Sequence, residues 1–202
     1  MVKVYYAPFA RSLRVLWTLE EMGAPHEPVR VQFPPRLAQP EYLQINPLGQ
    51  IPAVVDGDVT LLESMAACEY LTDRHGGEAL VVKAGEADRA AYLQWLWFGE
   101  ATLMPPIGTL VRNTFGPAES RNEQAIAEAK ASLAERLALV DKALEGREFL
   151  AAGRLTLADI SVAYGLNLGV MLRLTDTYPA NVAAYFERIK ARPAFQKAAA
   201  NA

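Results

Sequence analysis

The stretch NPLGQIPAV, residues 46–54, is the most informative part of the sequence about the fold, because two prolines and a glycine precede an apolar run. Proline has no N–H to give to a sheet, so Pro52 lies at a strand's edge rather than inside a central strand. A bond such as Ile51–Pro52 can adopt the cis form at modest cost. A cis bond would turn the Ile51 backbone outward and offer its N–H and C=O to an extended peptide. A proline-bounded turn without a ligand is the alternative.

Short strand-like and helix-like runs alternate on both sides of this stretch. Downstream, two β-type runs flank Asp56-Gly57-Asp58, which is a hairpin signal. Upstream, an apolar helix ends at Gly23, with Pro25 just beyond it. The order β-α-β, short helix, β-β-α predicts a small α/β domain over residues 1–76. Its predicted elements are Val2–Tyr6, Arg11–Met22, Pro28–Gln32, Glu41–Ile45, Ala53–Val55, Val59–Leu62 and Met65–Arg74.

From about Gly85 the pattern becomes helical only, so residues 77–84 are predicted to be a linker and residues 85–202 an all-α bundle. The first of these helices is expected to stop at Pro105-Pro106. The predicted helices are Ala87–Leu103, Glu119–Leu144, Leu157–Leu174, Asn181–Lys190 and Pro193–Ala200.

The clearest local signal in the helical half is the T-x-x-D pattern of Thr156 and Asp159, a variant of the capping box. Leu155 and Ile160 occupy the positions of a hydrophobic staple around it. We interpret this pattern as a folding element rather than a ligand site, so loss of Asp159 is expected to lower stability and leave ligand contacts intact.

Composition and charge exclude several classes of function. The 202 residues are 51% hydrophobic and 21% charged, with a formal net charge of −3, as in an ordinary soluble globule. Neither half has the basic surplus that nucleic-acid binding needs. One Cys and two His make a His/Cys metal site improbable. No signal-peptide or membrane-spanning pattern is present, so we expect no membrane association and a cytoplasmic location.

Two further stretches combine polar residues with a predicted helix start. In Tyr5–Ser12, a strand runs into a helix whose unpaired N–H groups favour an anion, with Arg11 and Ser12 as added donors. In Leu62–Met65, Ser64 and the helix start suit a carboxylate, while Glu63 suits an ammonium. Together, Glu63 and Ser64 would bind an α-amino-acid head group, which carries both charges. Plain N-caps with no ligand are the alternative at both places.

Taken together, these stretches resemble the glutathione S-transferase family over nearly the whole chain. The resemblance is carried by SLRVLWTLEEMG at 12–23, NPLGQIPAV, the Glu63-Ser64 pair eleven residues after Pro52, and LTLADI at 155–160. It implies a thioredoxin-like N-terminal domain with a cis-proline, an all-α C-terminal domain, a transferase of detoxification type and a homodimer. It also implies glutathione as co-substrate, with no metal.

The resemblance also implies the role of particular residues toward glutathione. Pro52 would be the cis-proline, and Ile51 would pair with the cysteinyl backbone. Glu63 and Ser64 would hold the γ-glutamyl end. Four further residues are expected near the tripeptide: Gln50 beside its path, Arg36 at the glycyl carboxylate, Arg11 at the opening loop and Tyr6 close to the sulfur.

The opening loop departs from the family pattern. Members that face the sulfur with Ser or Cys place it at positions that here hold Ala10, Arg11 or Ser12. No Cys lies near, which disfavours thiol exchange, and Cys68 is interpreted as a small core residue. We expect Ser12 to activate the glutathione thiol, with Tyr6 second and the backbone amides at Ala10 or Arg11 as alternatives.

The electrophile is expected to be small and hydrophobic and to bind between the domains. The aromatic residues predicted for this pocket could instead belong to the core between helices. The sequence does not distinguish among aryl halides, epoxides, peroxides and isomerisable acids as the electrophile. A non-catalytic glutathione- or protein-binding member, and a specialised isomerase, dehalogenase or lyase, are the alternative functions. The predicted pocket residues are Phe9, Trp97, Phe98, Met104 and Phe115.

Overall fold

A four-stranded mixed sheet organises the first part of the chain in the computed structural model, which describes residues 1–175 and 177–201. Contacts divide the chain into two units. Residues 1–81 and the segment from Ala191 onward form the N-terminal unit, and residues 82–190 form the helical unit. The elements in chain order are β1 Val2–Tyr6, α1 Ser12–Met22, β2 His26–Arg30, α2 Pro35–Ala38, β3 Ala53–Asp56, β4 Val59–Leu61, α3 Ser64–His75, α4 Arg89–Trp97, α5 Met104–Phe115, α6 Glu123–Ala143, α7 Leu157–Met171, α8 Ala180–Lys190 and α9 Pro193–Ala199.

The sheet has the strand order β2-β1-β3-β4. Strand β1 runs parallel to β2 and antiparallel to β3, and β3 runs antiparallel to β4. The parallel pair requires a crossover, which α1 supplies. A 3₁₀ helix, Pro40–Gln44, follows α2 and leads toward β3. This mixed sheet with its helices, followed by a helical unit, confirms the predicted fold class.

Helix α1 is the central helix of the N-terminal unit, because every residue from Ser12 to Leu19 is buried. Helix α3 lies against it on one side, and α9 also contacts it. The Trp17 and Phe195 rings meet edge to face at 5.1 Å, and Arg192 makes a bidentate pair with Glu21 at 2.6 and 2.7 Å. The apolar residues of α1 thus contact neighbouring elements on more than one side.

The prediction that the first bundle helix stops at Pro105-Pro106 is wrong. The chain passes from α4 through a π-helical turn, Phe98–Leu103, straight into α5, whose first turn holds both prolines. Pro106 has no N–H for the carbonyl of Thr102, and Arg136 Nε donates to that carbonyl at 2.8 Å instead. A partner from α6 therefore replaces the lost helical bond, which the local sequence does not reveal.

The capping box at the start of α7 is confirmed. The Asp159 carboxylate accepts hydrogen bonds from the N–H and hydroxyl of Thr156, at 2.8 and 3.0 Å. It also accepts from the Leu150 N–H at 3.0 Å and the Tyr185 hydroxyl at 3.1 Å. One buried side chain thus joins the loop before α7, the start of α7 and α8 within the helical unit.

Within the described residues, no helix combines the length and apolar character needed to cross a membrane.

Candidate active site

The strand register brings the three predicted stretches to one end of the sheet. Tyr5 pairs with Ala53 and Val54 pairs with Leu61. Continuing these antiparallel registers two residues beyond each pair places position 7 opposite position 51, and position 52 opposite position 63. The opening loop, the Ile51–Pro52 bond and the Glu63-Ser64 pair are therefore neighbours.

A small apolar cluster supports the same placement. Ala7, Ile51 and Ala53 are buried together, and Ala10 and Leu62 pack against them. Each of the three stretches contributes at least one member. Residues that are far apart in the sequence thus form one surface of the N-terminal unit.

The loop before Pro52 is held by buried polar groups, and its Ile51–Pro52 bond is cis, as predicted. The Gln50 carbonyl accepts hydrogen bonds from the Tyr42 hydroxyl at 2.8 Å and from Asn46 Nδ2 at 2.7 Å. Asn46 Oδ1 also accepts the Leu48 N–H at 3.0 Å. These bonds fix the backbone of Gln50, whose side chain is exposed.

Arg36 lies against the same loop. Its guanidinium donates to the carbonyls of Pro47 and Leu48 at 3.0 and 3.1 Å. Gly49 has a φ of +64°, and a Cβ there would lie 3.1 Å from Arg36 Cγ, so the glycine permits both the turn and the close approach. Arg36 therefore braces the loop while keeping an exposed side chain.

Glu63 and Ser64 lie at the start of α3, as the sequence suggested. Glu63 occupies the N-cap position with extended backbone angles and is exposed. Ser64 is the first helical residue and is 5% exposed, with its Oγ 3.3 Å from Arg14 NH1. The pair combines an accessible carboxylate with a hydroxyl at a helix N-terminus, where anions are favoured.

The opening loop gives the two predicted thiol-activating residues different access to solvent. Ser12 is fully buried, and its hydroxyl donates to the Ala7 carbonyl at 3.4 Å. Tyr6 is half-buried at the end of β1. The N–H groups of Leu13 and Arg14 bond to loop carbonyls, whereas the Ser12 N–H at the first helical position has no acceptor within the helix. Arg11 is the N-cap and is half-buried.

Phe9, at the tip of the opening loop, has a left-handed backbone and an exposed ring. Its φ is +62°, a region that costs an ordinary residue about 1–2 kcal/mol. Such residues cluster at binding and catalytic sites. Beside the ring is an open cleft of about 830 Å³ within the N-terminal unit. Its lining residues are Pro8, Phe9, Arg30, Val31, Gln32, Phe33, Gln39 and Glu41.

The other four residues predicted to bind the electrophile lie in the helical unit and differ in burial. Trp97 and Phe115 are 53% and 61% exposed. Met104 is buried, and Phe98 is buried against Trp95 with ring centroids 4.9 Å apart. Phe98 thus contributes to the helical core, which was the competing interpretation for the aromatic residues, and Met104 is part of the same core.

Cys68 faces the interior of the N-terminal unit. Burial raises the pKa of its thiol to about 12, so it is protonated at neutral pH and unreactive. Among residues 1–175 and 177–201, no three His, Cys, Asp or Glu side chains are grouped as a metal site would require.

Three contributors to this site were missed in the sequence: Tyr42, Asn46 and Arg14. Tyr42 lies in the short 3₁₀ helix, and its hydroxyl reaches back to the loop. Asn46 begins the NPLGQIP run, and its affinity for turns was the one available signal. Arg14 sits inside an apolar helix, where a cation is expected to be exposed.

Comparison with known proteins identifies the family. The model of the glutathione S-transferase N-terminal domain matches residues 1–73, and that of the C-terminal domain matches residues 103–193. The chain belongs to the glutathione S-transferase family. The family predicted from the sequence is thereby confirmed.

Several members of the family are similar over most of the chain. Glutathione S-transferase F10 of Arabidopsis thaliana is 37% identical over 168 residues, which cover 80% of this chain and 78% of that protein. Glutathione S-transferase 3 of Zea mays is 32% identical, covering 98% and 93%. A sphingomonad glutathione S-transferase, solved in complex with glutathione, is 30% identical with a TM-score of 0.84, covering 98% and 97%.

Proposed function

We propose that this protein is a glutathione transferase, an enzyme that binds glutathione on the N-terminal unit and activates its thiol to attack a small hydrophobic electrophile. The observation that supports this most strongly is the convergence of the opening loop, the Ile51–Pro52 loop and the Glu63-Ser64 pair at one end of the sheet. These are the three stretches that a glutathione-binding member of this family needs.

The chemistry of the tripeptide fits these groups. Its γ-glutamyl head has one carboxylate and one ammonium, which match the α3 N-terminus with Ser64 and the Glu63 carboxylate. Its cysteinyl segment has backbone groups that would pair with Ile51. The carbonyl of the preceding residue, Gln50, is held by hydrogen bonds from Asn46 and Tyr42. Its sulfur would then lie near the opening loop. Gln50 would lie beside the bound tripeptide. Arg36 is our candidate to bind the glycyl carboxylate, and Arg11 is our candidate to contact glutathione from the opening loop.

Activation of the thiol requires a modest amount of energy. A thiol with a pKa of about 8.5 is only a few per cent ionised at pH 7. Lowering that pKa by about two units takes about 2.7 kcal/mol. One hydroxyl donor to the thiolate supplies about 1.5–3 kcal/mol, and the α1 N-terminus adds about 0.3–1 kcal/mol. We place Tyr6 first as donor, because the Ser12 hydroxyl is buried and directed at Ala7.

The ultraviolet thiolate band of bound glutathione tests this assignment. Tyr6→Phe is expected to raise the pKa of the bound thiol by about 1–2 units, the value of one lost hydrogen bond to a charged group. Ser12→Ala is expected to move it by much less. A larger shift in Ser12→Ala would restore Ser12 as the donor, and an unchanged band in both variants would assign activation to the backbone amides.

Binding and turnover are tested separately on the wild-type chain. Calorimetry with millimolar glutathione measures binding, and conjugation of 1-chloro-2,4-dinitrobenzene measures turnover. Binding together with conjugation supports the transferase. Binding without turnover of any tested electrophile favours the non-catalytic alternative, and absence of binding contradicts both.

Phe9 provides a separate test of the electrophile site. Phe9→Gly is expected to change the free energy of unfolding by less than about 1 kcal/mol, because relief of the left-handed strain offsets the greater freedom of glycine in the unfolded chain. The KM for the electrophile should rise several-fold while the KM for glutathione stays constant. Leu139→Ala, at an exposed apolar side chain on α6 that is neither in the cleft nor among the predicted pocket residues, is the control and should leave both KM values unchanged. An unchanged electrophile KM would remove Phe9 from the pocket.

We further propose a homodimer, a cytoplasmic location and a role in detoxification, as family membership suggests. Exposed apolar side chains at Phe33, Leu37 and Leu48 of the N-terminal unit are consistent with a covered surface. Sedimentation of the purified chain tests the dimer: a mass near twice 22.1 kDa is expected, and a monomer at micromolar concentration would contradict it.

A further inference from the structure

Arg14 is a fully buried cation directly behind Ser64. It lies on α1 with no exposed surface, and its NH1 donates to Ser64 Oγ at 3.3 Å. Its backbone is anchored as well, since the Thr18 hydroxyl donates to the Arg14 carbonyl at 2.8 Å. Burying an arginine is costly, so its placement beside a candidate binding residue calls for a functional explanation.

The direction of this hydrogen bond determines what Ser64 can do. A guanidinium has only donors, whereas a hydroxyl has one donor and two acceptor sites. Arg14 therefore occupies an acceptor site of the Ser64 hydroxyl and leaves its proton to point elsewhere. A hydroxyl that accepts from a cation is also polarised and becomes a stronger donor.

We propose that Arg14 is a positioning residue that directs the Ser64 hydroxyl proton toward the α-carboxylate of the γ-glutamyl group. This inference rests on the proposed glutathione binding and adds a specific element to it. Arg14 itself stays buried and acts through Ser64. A buried residue that does not touch the ligand would then contribute to selectivity for peptides that carry the α-carboxylate.

The buried Cys68 thiol is a neighbour of this arginine. Burial is the main influence on that thiol and raises its pKa, while the Thr18 hydrogen bond and the positive charge of Arg14 act in the opposite direction. The Thr18 hydroxyl contacts Cys68 Sγ at 3.3 Å. Ser64, Arg14, Thr18 and Cys68 thus form a buried polar cluster between α1 and α3.

A double-mutant cycle on the full chain tests the inference, with Arg14→Gln, Ser64→Ala and the double variant. Two peptides are titrated by calorimetry: glutathione, and γ-aminobutyryl-cysteinyl-glycine, which lacks only the α-carboxylate. Arg14→Gln is expected to weaken glutathione binding about tenfold, and Ser64→Ala about 10–100-fold. The double variant should bind glutathione no more than about twofold worse than Ser64→Ala, because Arg14 acts through that hydroxyl. The truncated peptide should bind all variants alike.

Two controls keep the outcome interpretable. Arg74→Gln, at an exposed cation on α3, should leave both affinities unchanged. Arg14→Lys retains a positive charge with N–H donors, so it serves if Arg14→Gln does not fold, and is expected to recover part of the glutathione affinity. The inference is overturned if wild-type protein binds glutathione and Arg14 substitution has no effect, adds fully to Ser64→Ala, or weakens both peptides equally. Absence of glutathione binding by the wild type would instead overturn the proposed function.

Discussion

Replacing Asp159 with alanine is expected to lower the free energy of unfolding by about 3–5 kcal/mol, because four buried donors lose the carboxylate that accepts from all of them. The donors come from Leu150, Thr156 and Tyr185, so the substitution loosens three segments of the helical unit together. Urea unfolding followed by circular dichroism measures the loss. Asp73→Ala, at an exposed carboxylate on α3, is the control and should cost less than about 0.5 kcal/mol.

Glutathione affinity separates a folding role from a ligand role for Asp159. At temperatures where the variant is folded, its affinity for glutathione should equal that of the wild type. Wild-type stability combined with lost binding would contradict the capping role. The predicted magnitude would be wrong if Asp159→Ala lowered the free energy of unfolding by no more than the loss of an exposed N-cap side chain does, which is about 1 kcal/mol.

The same carboxyl group should make stability depend on pH. Burial raises the pKa of Asp159 to about 6, although its four hydrogen bonds act to lower it. In the unfolded chain the pKa is about 3.9. The folded protein therefore binds the proton more tightly between those values, so the stabilisation is complete below about pH 4 and is lost as pH rises through about 6.

An asparagine variant isolates this contribution. The unfolding free energy of the wild type, taken relative to Asp159→Asn at each pH, is expected to fall by about 1–3 kcal/mol between pH 4 and pH 7. Chemical unfolding at a series of pH values gives the difference. A relative stability that rises over this interval would mean that the hydrogen bonds outweigh burial.

Local patterns predicted the architecture well where the determining interaction lies within a few residues. Proline chemistry placed the start of β3 beside Pro52, and the Thr156–Asp159 spacing placed the start of α7. The prediction at Pro105-Pro106 was wrong because the compensating donor, Arg136, lies on another helix. A helix stop depends on whether a lost bond is replaced, and the replacement came from tertiary structure.

The candidate site divides along the same line. Glu63 and Ser64 could be found in the sequence because their charges and helix position are local properties. The burial of Ser12 and the hydrogen bond from Tyr42 to the Gln50 carbonyl depend on packing between elements. The local sequence pattern does not encode this packing. The position of Ser12 at a helix start therefore suggested an accessible hydroxyl donor. In the folded chain this hydroxyl is buried and donates to the Ala7 carbonyl instead.

Glu63→Gln is expected to weaken glutathione binding about 10–100-fold, since it removes the charge that would pair with the γ-glutamyl ammonium while preserving shape. Because this contact is the same in the ground state and the transition state, KM for glutathione should rise and kcat should change little. Steady-state kinetics at saturating electrophile measure both. Glu78→Gln, at another exposed carboxylate of the N-terminal unit, is the matched control.

A glutathione analogue tests whether Glu63 recognises the ammonium itself. Des-amino glutathione lacks that group and should bind wild type and Glu63→Gln with equal affinity. Salt should weaken glutathione binding to the wild type more than to the variant, because the Glu63 carboxylate is exposed and its charge is screened. Equal loss of affinity for both peptides would show that Glu63 shapes the start of α3 rather than contacting the head group, and the charge-matched orientation of the tripeptide would then be wrong.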